Sequence, residues 1–170
     1  MATVFLGLGS NLGDREANVR TACERIASQP GIRLRRVSSL YLTAPIGYVD
    51  QPDFVNAVAV IETKIEPVDL LHVVQGIERE MGRVRNFRWG PRVIDIDVLV
   101  YDGRTVDTPE LTIPHPRMME RAFVMAPLSE IAPDIILPDG RKPGEVSQEL
   151  RDQCISRLPE AKLCRSSDTR

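Results

Sequence analysis

The run VIDIDVLVY, residues 93–101, is suited to a β-strand at every position but two: Asp95 and Asp97 sit inside it. Side chains two apart in a strand point to the same face. Asp95 and Asp97 are therefore neighbours on one face, and Ile94, Ile96, Val98 and Val100 line the other. Such a strand fits a sheet whose apolar face lies under helices and whose carboxylate face is left open. Two anions this close repel, so the pair needs a cation or a proton.

The rest of the chain supplies that sheet. Residues 2–8 are β-branched and aromatic, a good strand, and Asp14 is placed to cap a helix over about 15–29 that ends at Pro30 and Gly31. Residues 32–42 alternate as a second strand, and 54–63 read as a third that pairs with it as in a hairpin. Pro67 suits the first turn of a helix in which Leu70, Leu71, Val74, Ile77 and Met81 recur at helical spacing, with Gly82 as its stop. Residues 83–92 have no period and read as a loop, before the fourth strand at 93–101. The order βαββαβ predicts an α+β fold, the ferredoxin-like plait: an antiparallel sheet with both helices on one face. Additional C-terminal elements follow: a proline-broken extended stretch at 106–117, a short helix over 120–132 containing Pro127, a turn at 138–140, a last helix over 143–153 and a frayed tail at 165–170. One domain over 1–170 is expected, with about 141–170 as an extension of no assigned role.

A formal charge of −2 argues against a surface built for nucleic acid or anionic lipid. The basic charge is local instead: five arginines fall between Arg79 and Arg92. Arginine suits bidentate contacts to phosphate or carboxylate. No apolar run approaches the roughly 18–20 residues that span a bilayer, and the N-terminus does not read as a secretory leader. Cys23, Cys154 and Cys164 are widely spaced, without metal-ligand spacing, which fits a reducing cytoplasmic compartment. A monomer acting on small molecules, with neither nucleic acid nor membrane as partner, is expected.

Paired carboxylates suit Mg²⁺, which takes one or two of them together with phosphate oxygens and water. With guanidiniums and Trp89 immediately upstream, the set points to phosphoryl transfer. The bland alternative is a pair that salt-bridges to those arginines on a solvated face. By pattern alone Phe54 and Phe123 are core residues, Glu78 is a solvated helix residue and His115 is a turn histidine between prolines. The opening GLGSNLG is spaced G-x-G-x-x-x-G, not as a dinucleotide fingerprint, and reads as a tight strand exit.

The block at 88–97, R-W-G-P-R-x-x-D-x-D, resembles the signature of the 6-hydroxymethyl-7,8-dihydropterin pyrophosphokinase family of folate biosynthesis. The likeness extends over about 3–138, through GLGSNLGDR, S-x-Y-x-T-x-P at 39–45, DQPDFVNAV, GRVR and IPHPRMMERAFVMAPLSEIAPD. It implies transfer of pyrophosphate from the co-substrate ATP to the pterin hydroxymethyl group, with AMP released. It implies two Mg²⁺ ions held by Asp95 and Asp97, with Arg83 and Arg92 neutralising transferring charge. Arg85, Arg88 and Trp89 belong to a loop expected to close as a lid over the substrates. For the pterin the resemblance implies Thr43, Ala44, Pro45, Ile46, Phe54, Asn56, Trp89, Asp95 and Phe123. For ATP it implies Leu71, Gln75, Glu78, Arg85, Arg88, Trp89, Arg92, Val98, Thr112, His115 and Arg121. Glu110 and Pro116 depart from what some relatives carry on the nucleotide side. Two rivals remain: another Mg²⁺-dependent nucleotidyl or phosphoryl transferase on the same plait, and a nucleic-acid-binding plait using its arginine loop.

Overall fold

A computed structural model describes residues 1–82 and 90–159. The expected lid, with Arg83, Arg85, Arg88 and Trp89, and the expected tail at 165–170 lie outside the described residues. The strands are β1 (Ala2–Ser10), β2 (Ile32–Val37), β3 (Tyr41–Thr43), β4 (Phe54–Thr63), β5 (Asp95–Tyr101), β6 (Val106–Asp107), β7 (Thr112–Ile113) and β8 (Ile155–Arg157). The helices are α1 (Arg15–Ala27), α2 (Pro67–Glu80), α3 (Ala122–Ile131) and α4 (Pro143–Glu149), with a 3-10 turn at Met118–Glu120. The main sheet runs β5-β1-β4-β3-β8, with β2 also on β4, and β6 and β7 form a small hairpin. Every strand pair is antiparallel.

Local chemistry explains the main boundaries. Asp14 caps α1, its carboxylate accepting from the Ala17 N–H at 3.1 Å. Pro67 opens α2, and Gly82 beyond its end has φ +88, the left-handed conformation that only glycine adopts freely. The expected single strand at 32–42 is two strands on one partner. Val37 pairs with Ala59 and Tyr41 with Asn56, so four steps on one side oppose three on the other. Ser38 fills the irregularity: its N–H donates to the Val58 carbonyl and its hydroxyl accepts from the Val58 N–H, both at 2.9 Å.

The core lies on both faces of the sheet. On one, α1 and α2 cover Leu6, Leu8, Val55, Ile61, Ile96 and Val98. On the other, Val124, Met125 and Leu128 of α3 and Val146 of α4 pack with Phe5, Val58, Val60 and Leu99. Three sequence expectations are corrected here. A bulge opposes Val98 to Leu6 and Val100 to Phe5, leaving Leu99 as the extra residue. Val100 thereby packs on the α3 side with Leu99 and not with Val98. The carboxylate face is also roofed along part of its length, and Asp95 and Asp97 occupy its uncovered end. The last helix stops at Glu149, not near 153, and the chain turns into β8, which adds to the free edge of β3.

Glu130 on α3 ties that roof to the sheet. It accepts from the Ser39 N–H at 3.0 Å, the Ser39 hydroxyl at 2.7 Å and the Tyr41 hydroxyl at 2.7 Å, with Arg157 of β8 at 3.5 Å. Burial works to raise its pKa, but the Ser39 and Tyr41 hydrogen bonds and the Arg157 charge outweigh it and hold Glu130 below its ordinary value. A lowered folded-state pKa contributes stability above the unfolded value of about 4.3 that is lost as pH falls through the folded one. Glu130→Gln is expected to cost about 1–2 kcal/mol at pH 7. In urea titrations the gap from wild type should shrink below about pH 4; a gap constant down to pH 3 would contradict the ionised role.

Candidate active site

The adjacent ends of β1, β4 and β5 form one wall of a cleft. Asp95 is the register partner of Gly9 and Asp97 of Gly7, so each carboxylate stands beside a residue with no side chain. On the other side of β1, Gly9 pairs with Asn56, and a Cβ at Gly9 would lie 2.5 Å from the Asn56 Oδ1. That amide therefore lies across a gap that only glycine leaves. Asn56 Nδ2 donates to the Thr43 hydroxyl at 2.7 Å, which fixes the amide's orientation.

The cleft has two compartments. The first is lined by Gly7, Leu8, Gly9, Thr43, Ala44, Ile46, Phe54, Asn56, Ala57, Phe123 and Val124. The second is lined by Leu71, Gln75, Glu78, Ile96 and His115. Arg92, Asp95, Asp97 and Arg121 line both. The first is mostly apolar with aromatic walls, the second polar. Pro45 lines a neighbouring hollow with Gln153 and Cys154. Val98 is core, 3% exposed on the α1–α2 side, and Thr112 is exposed on β7; neither lines the two compartments.

The shared wall is electrostatically dense. Arg92 Nη1 is 2.6 Å from Asp95 Oδ2. Arg121 Nη1 and His115 Nε2 lie 3.9 and 4.0 Å from Asp97 Oδ2. The Arg121 guanidinium also sits 5.4 Å from the centre of the Phe123 ring. Burial, and then the charge of Asp95, push the Asp97 carboxyl well above the ordinary carboxylate range, against the pull of Arg121. Asp97 therefore favours a proton or an added cation even with Arg121 beside it. Burial, and then Arg121, lower His115 to about 4. Its Nδ1 accepts from the Arg117 N–H at 3.1 Å, so near pH 7 the ring is neutral with its proton on Nε2, on the carboxylate side.

Two buried polar residues hold this wall. β5 is an edge strand, and Glu78 of α2 supplies a partner on its free side: Oε1 accepts from the Ile96 N–H at 2.7 Å, between the two aspartates. By pattern Glu78 was a solvated helix residue; it is 4% exposed. Asn11, 1% exposed, is a residue that sequence reasoning missed. Its N–H donates to the Arg92 carbonyl at 3.0 Å, its Oδ1 accepts from the Arg92 N–H at 2.8 Å, and its Nδ2 donates to Gln51 Oε1 and the Pro52 carbonyl. The strand exit GSN was visible as a motif. That its asparagine joins three loops was not, because no pattern links positions 11, 51 and 92.

An antiparallel sheet with helices on both faces thus carries a carboxylate–arginine wall between an aromatic and a polar compartment, the arrangement of a two-compartment cleft. Residues 5–133 match the family 7,8-dihydro-6-hydroxymethylpterin-pyrophosphokinase (HPPK). Two relatives are both named 2-amino-4-hydroxy-6-hydroxymethyldihydropteridine pyrophosphokinase. One, from Pseudomonas aeruginosa, is 45% identical over 93% of this chain and 98% of its own. The other, from Methylorubrum extorquens, is 50% identical over 81% of this chain and 87% of its own. Among solved structures, Plasmodium falciparum HPPK-DHPS with pteroate superposes with a TM-score of 0.69 at 16% identity, covering 87% of this chain and 42% of that one. The chain belongs to the HPPK family.

Gly9→Ala tests the aromatic compartment, its added methyl meeting the Phe54 ring only at an ordinary van der Waals distance of 3.7 Å. The added methyl must displace the Asn56 amide. The expected result is that one of the two substrates binds at least about tenfold more weakly, from leaving polar groups mispaired, with the other within about twofold of wild type. Calorimetric titration with each ligand reads both, and equal losses would refute a compartment-specific role for Asn56.

Proposed function

We propose that the two compartments take the two substrates of the family reaction, the dihydropterin in the first and ATP in the second, with the transferring group over Asp95 and Asp97. The chain is a pyrophosphokinase of folate biosynthesis: it transfers pyrophosphate from ATP to 6-hydroxymethyl-7,8-dihydropterin. One observation carries the assignment of the site: Arg92, Asp95, Asp97 and Arg121 line both compartments. A group moving from one ligand to the other passes these four residues.

In the aromatic compartment Phe54 and Phe123 stack on the pterin, and Asn56 offers its edge a donor and an acceptor. Thr43, Ala44 and Ile46 contribute backbone contacts, and Pro45 continues the segment into the neighbouring hollow. In the polar compartment Gln75 and Glu78 share a helix face, Leu71 touches the base, and Arg121 and the His115 Nε2–H contact phosphate oxygens. Val98 packs in the core beneath the α1–α2 layer, and Thr112 lies outside both compartments. The hydroxymethyl oxygen attacks the β-phosphorus and its proton passes to water, the bond from the β-phosphorus to the oxygen shared with the α-phosphorus breaks, and AMP leaves with that oxygen. The chain's part is to align the two ligands in line and to neutralise charge that grows in transit, mainly through Arg92. The donor set, two adjacent carboxylates short of positive charge, fits magnesium, and Asp95 and Asp97 would hold two Mg²⁺ ions that bring phosphate oxygens to the wall and polarise the phosphorus. The strand order supports reading the fold as the ferredoxin-like plait with a roof of α3 and α4 in one domain, and a cytoplasmic monomer belongs to the same proposal. Among the described residues, no helix is long and apolar enough to cross a membrane.

The direct test is a product assay with Mg²⁺, ATP and the dihydropterin. AMP with a pterin diphosphate is expected; ADP with a monophosphate would refute pyrophosphoryl transfer. Asp97→Asn should keep the thermal midpoint and lower kcat roughly a thousandfold, from loss of several kcal/mol of metal-assisted stabilisation. Turnover near wild type would remove Asp97 from the metal site.

A further inference from the structure

The C-terminal segment bears on Arg121, a residue of the shared wall. Gln153 lies between α4 and β8, and its side-chain amide makes two hydrogen bonds. Nε2 donates to the Glu120 carbonyl at 2.7 Å, and Oε1 accepts from the Ala122 N–H at 2.9 Å. These groups belong to the peptides just before and just after Arg121. Arg121 is extended, with φ −117 and ψ 110, between the 3-10 turn and α3, and it caps α3 with no side-chain hydrogen bond of its own. In an extended residue the preceding carbonyl and the following N–H point to the same side. A primary amide presents a donor and an acceptor next to each other and matches that pair, as a neighbouring strand would. The reverse amide orientation would set donor against donor.

Gln153 is itself anchored. Its N–H donates to the Leu150 carbonyl at 3.0 Å, the next carbonyl, of Cys154, accepts from the Ala44 N–H at 3.2 Å, and β8 pairs with β3. The anchor therefore transmits the position of the sheet edge to the backbone of Arg121, whose side chain reaches Asp97 and Phe123. We propose that Gln153 is a positioning residue for Arg121, holding its backbone so that the guanidinium stands over the shared wall. This rests on Arg121 acting in the site as proposed above.

A double-mutant cycle on kcat/KM for ATP tests it, with wild type, Gln153→Ala, Arg121→Ala and the double variant. Gln153→Ala is expected to lower kcat/KM about tenfold, as misplacement of a site residue does. In the Arg121→Ala background the same change should cost less than about twofold, because the residue through which it acts is already gone. The same penalty in both backgrounds overturns the inference, since a generally structural glutamine would cost alike in each. Wild-type activity of Gln153→Ala also overturns it. Wild-type activity of Arg121→Ala overturns instead the site assignment on which it stands, and the inference with it. Should Gln153→Ala fail to fold, Gln153→Glu takes its place. It is isosteric and keeps the bond from Ala122 but sets a carboxylate against the Glu120 carbonyl, and the same non-additivity is expected.

Discussion

The repulsion between two carboxylates on one edge strand organises this protein. Asp95 and Asp97 are alternate residues of β5, and nothing in a strand lets them move apart. Their surroundings are arranged to tolerate them. Glycines stand opposite on β1, so no side chain crowds them. Arg92 and Arg121 approach from two directions without covering them. Glu78 occupies the free edge of the strand, which prevents the pair from being drawn into strand pairing with another chain. What remains is charge demand directed into the cleft.

The second organising fact is that the sheet face carrying the pair is half covered. The bulge at Leu99 turns two consecutive side chains toward α3 and so joins the strand to the second core. Phe5, Val58 and Leu99 anchor the roof, and Glu130 locks it to Ser39 and Tyr41. The roof then carries Arg121 and Phe123 at its leading end. Stability and function meet here: the apolar contacts that fold α3 also set the far wall of both compartments.

Much of this was legible in the sequence because it rests on local periodicity. The alternation of β5, the third strand, the helix from Pro67 and its end at Gly82 follow from spacing and from the φ preferences of proline and glycine. The face assignment of Val100 failed, because alternation assumes an unbroken ladder and a bulge breaks it. The single strand at 32–42 failed for the same reason, since Ser38 replaces a ladder contact with its hydroxyl. β8 was missed because a three-residue edge strand is made by its partner, not by its own composition. At the site, the aspartates came from strand alternation and Asn56, Phe54 and Phe123 from the motif resemblance, and all of them line one cleft. Asn11, Gly9 and Gln153 act through hydrogen bonds or space between segments far apart in the chain, which no one-dimensional pattern encodes.

The central claim is that one wall serves both ligands, and paired binding measurements test it most directly. α,β-Methylene-ATP keeps the triphosphate but lacks the bridging oxygen where transfer would cleave, so it can be titrated with Mg²⁺ alone and together with the dihydropterin. In wild type each ligand should bind, and in Asp97→Ala the nucleotide should bind at least about tenfold more weakly, with binding of the pterin to the nucleotide complex weakened as well. Loss of one affinity with the other unchanged would contradict a shared wall and leave two adjacent but independent pockets.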